Sequence, residues 1–63
     1  MMVRIGFSSE FEAHNCRSWL NNIYQVPGYI VTAGPGDLAK VFIEVSERWS
    51  EEVRLNFKEF ILQ

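Results

Sequence analysis

Gly34-Pro35-Gly36-Asp37-Leu38-Ala39-Lys40-Val41-Phe42-Ile43-Glu44-Val45-Ser46 is the stretch whose reading decides the fold. As a strand it puts Val41, Ile43 and Val45 on one face and Phe42, Glu44 and Ser46 on the other, because side chains alternate across a pleated backbone. As a helix it builds an apolar stripe from Leu38, Val41, Phe42, Val45, Trp49 and Val53. Lys40, Glu44, Glu47 and Glu51 then lie opposite, and Asp37 is the cap. The strand is favoured, since Val-Phe-Ile-Glu-Val is rich in β-branched and aromatic residues. Gly34-Pro35-Gly36-Asp37 is also a dense turn signal that joins this run to another strand-like one, Tyr29 to Ala33. The helical alternative, with residues 38–62 mainly helical, would leave the start signal at Ser50 redundant.

Working outward, Val3-Arg4-Ile5-Gly6-Phe7 alternates and reads as a first strand with Val3, Ile5 and Phe7 inward. Ser9 followed by Glu12 has the spacing of a capping box, in which hydroxyl and carboxylate each satisfy an orphan backbone amide. In the helix that follows, Ala13, Cys16, Trp19, Leu20, Ile23 and Tyr24 fall on one arc, and Glu10, His14, Arg17 and Asn21 form a polar stripe. Asn21-Asn22 weakens the helix and Pro27-Gly28 ends it. Ser50 before Glu51 and Glu52 places a cap and two carboxylates at the start of a last helix, which is expected to bury Val53, Phe57, Phe60 and Ile61. The expected fold is α+β, β-α-β-β-α. It is a single domain over residues 1–63 with a three-stranded antiparallel sheet, two helices on one face and no closing strand. The half from Gly28 to Leu62 loosely resembles the second part of an acylphosphatase-type ferredoxin-like fold. That family's phosphate-binding loop and Arg/Asn pair have no counterpart here, so the resemblance implies an arrangement and no activity.

The chain is rich in contact surface and poor in chemistry. It has five Phe, two Trp and two Tyr, against one histidine and one cysteine. His14 and Cys16 stand two apart on a helix and point about 200° away from each other, so they cannot share a nucleophilic site. The paired acids Glu44/Glu47 and Glu51/Glu52 lack the contrasting environments that separate catalytic pKa values. Gly34-Pro35-Gly36 carries neither a Walker pattern nor a dinucleotide fingerprint. No enzymatic activity, cofactor or metal is expected. With eight acidic and six basic residues the net charge is −2, without the basic footprint that phosphate neutralisation leaves in nucleic-acid binders. The longest apolar runs span three residues, as in Phe60-Ile61-Leu62, too short for a membrane helix. The N-terminus lacks a secretory pattern and Cys16 is unpaired, so a cytoplasmic setting is expected, in the protein's own cell or in a host.

A core this small seldom supplies more than about 3–5 kcal/mol. With neither disulfide nor metal to add to it, a homodimer or an obligate partner is expected. The candidate contact residues are Tyr29, Phe42 and Glu44 on the uncovered sheet face, Leu55 and Leu62 one above the other on the last helix, and Arg17 and Asn21 on the polar stripe of the first. The function these features favour is a small protein-binding regulator or inhibitor that occludes a partner's surface. Short acidic proteins of this kind include phage-encoded host or defence inhibitors. The alternative is a single-stranded nucleic-acid-binding module that stacks bases on Tyr29 and Phe42.

Overall fold

A computed structural model describes residues 1–62. Its elements are β1 (Met2–Phe7), α1 (Glu10–Trp19) continued by one π-helical turn (Leu20–Tyr24), β2 (Tyr29–Thr32), β3 (Val41–Ser46), a 3-10 turn (Glu47–Trp49) and α2 (Ser50–Asn56). The decisive stretch is therefore a strand. Its turn is held twice over: the Asp37 amide donates to the Gly34 carbonyl at 3.1 Å, and the Asp37 carboxylate accepts the Gly34 amide at 2.8 Å. Gly36 sits at φ 91°, where a residue with a Cβ would be strained.

β3 is the middle strand of the antiparallel sheet, in the order β1-β3-β2. The register sets Val3, Ile5 and Phe7 opposite Val45, Ile43 and Val41, and Ile30 opposite Ile43. Directly opposed residues point to the same face. These residues form the core layer, and Ala13, Cys16 and Leu20 from the first helix and Val53 from α2 pack into it. Both helices cover one face, as the periodicity of the sequence predicts. Because β3 is antiparallel to both neighbours, β1 and β2 run parallel with β3 between them, the split β-α-β plan of ferredoxin-like folds.

As expected, no closing strand joins the three-stranded sheet among the described residues, but the edge of β1 is not bare. The segment after α2 turns back and lies along the free side of β1. There the Ser8 amide donates to the Phe60 carbonyl at 2.8 Å, the Leu62 amide donates to the Gly6 carbonyl at 2.9 Å, and Phe7 faces Ile61 in a single antiparallel bridge. This single bridge, with its two flanking hydrogen bonds, covers the end of β1. This also corrects the last helix, which stops at Asn56. Phe57 leaves helical geometry at φ −125°, and Ile61 reaches the core from the extended segment. Backbone groups at Gly6 and Ser8 need partners, and the extended chain supplies them where further helix could not.

Two cap assignments also change. Ser9 Oγ accepts the Glu12 amide at 3.2 Å as expected, but the Glu12 carboxylate accepts from Asn15 Nδ2 instead of returning to the cap. Ser50 does not cap α2: Trp49 holds that position without a side-chain bond, and the Ser50 hydroxyl donates to the Glu47 carbonyl within the 3-10 turn.

Gly6 is the tightest point of the sheet. A Cβ there would meet Ala39 Cβ at 3.0 Å and Phe42 Cε1 at 3.3 Å. The missing side chain lets the Phe42 ring lie on the backbone of β1 and lets residues 38–40 fold over it, where the Lys40 amide bonds the Phe7 carbonyl at 2.8 Å. Gly6→Ala is expected to cost about 1–3 kcal/mol by overpacking, read as a lower urea midpoint with an unchanged slope. An unchanged midpoint would mean that the 38–40 loop gives way freely.

Candidate interaction surface

The face of the sheet away from the helices is laid out in rows by the register. Arg4, Glu44 and Tyr29 make one row, and Gly6, Phe42 and Val31 the next. Three of the residues predicted as contacts, Tyr29, Phe42 and Glu44, are thereby brought together. They are not equally available. Tyr29 is 53% exposed, whereas Phe42 is half-buried because its ring is drawn down onto Gly6. Arg4 Nε donates to Glu44 Oε2 at 3.0 Å, the one ion pair among the described residues. With Arg4 largely in solvent, such a pair contributes about 0–1 kcal/mol to stability. Its larger effect is on the character of the face, which holds one matched pair of charges beside an aromatic edge. Val31, not Ile30 or Thr32, completes the face. The hairpin's register, which sequence pattern leaves open by one residue, decides this.

The other predicted contacts lie elsewhere. Leu55 is 73% exposed on α2, but Leu62 belongs to the extended segment on β1 and is half-buried, so the two do not form a helical pair. The reason is the early end of α2. Arg17 and Asn21 are both exposed on the first helix and its π turn, and the Arg17 stem passes close to Gly28. Among the described residues, neither side chain hydrogen-bonds to the sheet's open face.

A second surface feature escapes periodicity. The π turn shifts the end of the first helix, leaving Ile23 63% exposed instead of on the buried arc. Tyr24 is carried between two tryptophans, with ring centroids 5.2 Å from Trp19 and 4.6 Å from Trp49. Trp19 continues to Phe57 at 5.5 Å and Phe57 to Phe7 at 6.1 Å, while the Arg48 guanidinium lies 5.4 Å over the Trp49 ring. The aromatics therefore run from the core to the surface in one connected line. Asn21-Asn22 signals weak α-helix there, but spacing alone cannot announce a wider turn.

Cys16 is fully buried in the core, and burial pushes its thiol up to about 12 from 9.0. A thiol so placed behaves as a small hydrophobe. Among the described residues no group of three or more His, Cys, Asp or Glu side chains is arranged to hold a metal ion, and no helix is long and apolar enough to cross a membrane.

No family model, curated protein or solved structure matches this chain.

Proposed function

We propose that this protein is a non-enzymatic regulator or inhibitor that binds another protein through the open sheet face and occludes the partner's surface, as phage-type inhibitors of host or defence proteins do. It is a dimer in the cytoplasm. The observation that carries this reading is the exposed Tyr29 ring set in register beside the Arg4–Glu44 pair on a face the helices leave uncovered. Tyrosine joins a large apolar ring to a polar tip, and aromatic anchors next to charged groups dominate protein interfaces. Dimerisation is supported by the small core, which among the described residues buries no polar or charged side chain and which no disulfide reinforces.

The same face suits single-stranded nucleic acid less well. Glu44 already neutralises Arg4, and the chain's net charge is −2; phosphate binding draws its affinity from unneutralised cations.

The test compares the immobilised protein with its Tyr29→Ala variant for the partner each retains from cytoplasmic extract. Truncating a tyrosine anchor costs about 2 kcal/mol or more, so retention is expected to fall at least tenfold with an unchanged melting temperature. Equal retention by the variant would defeat the assignment of this face. Tight, steeply salt-dependent binding of a single-stranded oligonucleotide would favour the nucleic-acid reading.

A further inference from the structure

We infer that β2 is the dimer contact, pairing antiparallel with β2 of a second copy in a register centred on Val31, to give one continuous six-stranded sheet. This rests on the dimeric part of the reading above and names the surface responsible.

The hydrogen-bond directions follow from the bonds on either side of β1. The Gly6 carbonyl and Ser8 amide point outward to residues 60–62, while the Phe7 carbonyl points inward to Lys40. Backbone groups alternate along an antiparallel strand. Ile5 therefore bonds Ile43, and β3 turns Phe42 and Glu44 toward their β2 partners Val31 and Tyr29. That leaves the amides and carbonyls of Ile30 and Thr32 on the outer side of β2, where no described strand lies.

The two edges of the sheet are treated differently. β1 is covered at Gly6–Ser8 and carries the charged Arg4 on its remaining length. β2 is short, but it carries no charge, bulge or covering strand among the described residues. Between Arg17 and Asp37 the chain holds no charged residue at all.

A register centred on Val31 fits a second copy to this edge. With Val31 facing Val31 of the other copy, Ile30 exchanges both hydrogen bonds with Thr32 across the two-fold, and Tyr29 stands opposite Ala33. Ile30 meets the smaller Thr32, Tyr29 meets the small Ala33, and no like charges oppose. Pro27 and Pro35 bracket the strand and confine pairing to it, because proline offers no amide. With the β1 edge partly taken, association closes at two copies instead of propagating.

Amide exchange tests this without substitution. The Ile30 and Thr32 amides are expected to exchange at least tenfold more slowly at high than at low protein concentration, in step with a sedimentation mass rising from 7.4 kDa to twice that value. Val31→Lys sets two ammonium groups against each other at the axis, where opposed Cα atoms are about 4.5 Å apart. It is expected to yield a folded monomer, and mixing it with Val31→Glu to restore a mixed dimer. Thr32→Pro removes an outward amide without touching the ladder to β3, and is also expected to be monomeric. A dimer whose Ile30 and Thr32 amides exchange freely would overturn the edge assignment and leave dimerisation standing. A wild-type monomer at high concentration would overturn both.

Discussion

Phe7→Ala is expected to abolish the folded state at room temperature. Phe7 is fully buried at the end of β1, where three elements converge: Val41 opposes it across the sheet, Ile61 bridges it from the other side, and the Phe57 ring is 6.1 Å away. Deleting a buried phenylalanine side chain costs about 3–5 kcal/mol, the lost transfer energy plus that of the cavity left behind. A core of this size supplies roughly that much in total. Loss of the cooperative thermal transition in circular dichroism is the expected readout. Ile43→Val, at the centre of the same layer, gives the graded companion. It removes one methylene at a cost of about 0.5–1.5 kcal/mol, which for a domain this small lowers Tm by roughly 4–8 °C per kcal/mol. Leu55→Ala, on the surface of α2, should change little. A cooperative Phe7→Ala variant melting within a few degrees of the parent would contradict the placement of the core.

Cys16 should be inert to alkylation at pH 8 for as long as the protein stays folded. Its thiol is fully enclosed, and desolvation of the thiolate moves its titration from 9.0 to about 12. At pH 8 the thiolate fraction is then smaller on the order of a thousandfold than for a free cysteine. Labelling by iodoacetamide, followed by mass spectrometry, should track unfolding in denaturant and be negligible without it. Fast stoichiometric labelling of protein that keeps its native spectrum would refute the burial. The same shift predicts a pH dependence of stability. Because the folded state raises the thiol's value, it retains a proton that the unfolded chain gives up above pH 9. The stabilisation is complete below that pH and is lost as pH rises from 9.0 toward about 12. Comparing the denaturation midpoint at pH 8 and near pH 10 in the parent and in Cys16→Ala isolates this contribution from that of the tyrosines. An identical decline in both would exclude it.

Much of the architecture is written locally. Alternation identifies β1 and β3, and the hydroxyl of Ser9 starts the first helix where the sequence predicts. The Gly34–Asp37 turn decides strand over helix for Val41–Ser46, because its reciprocal bonds return the chain on itself. The candidate surface is legible in part. Glu44 and Phe42 follow from the period of two, and Tyr29 follows only once the register is known. The Leu55/Leu62 pair fails because it assumes that apolar spacing continues a helix. Phe57, Phe60 and Ile61 keep a helical period in the sequence while the backbone abandons it.

What the sequence alone determined is the set of elements, the buried faces of β1, β3 and the first helix, and a chain short of catalytic groups, since each depends on propensity and period within a few residues. The tertiary structure alone decided the sheet order, the cover that residues 60–62 place on β1, the seating of Phe42 on Gly6, and the aromatic line through Trp19, Tyr24 and Trp49. These depend on which distant backbone groups find each other. Hydrogen-bond satisfaction across the sheet settles that, and no local pattern encodes it.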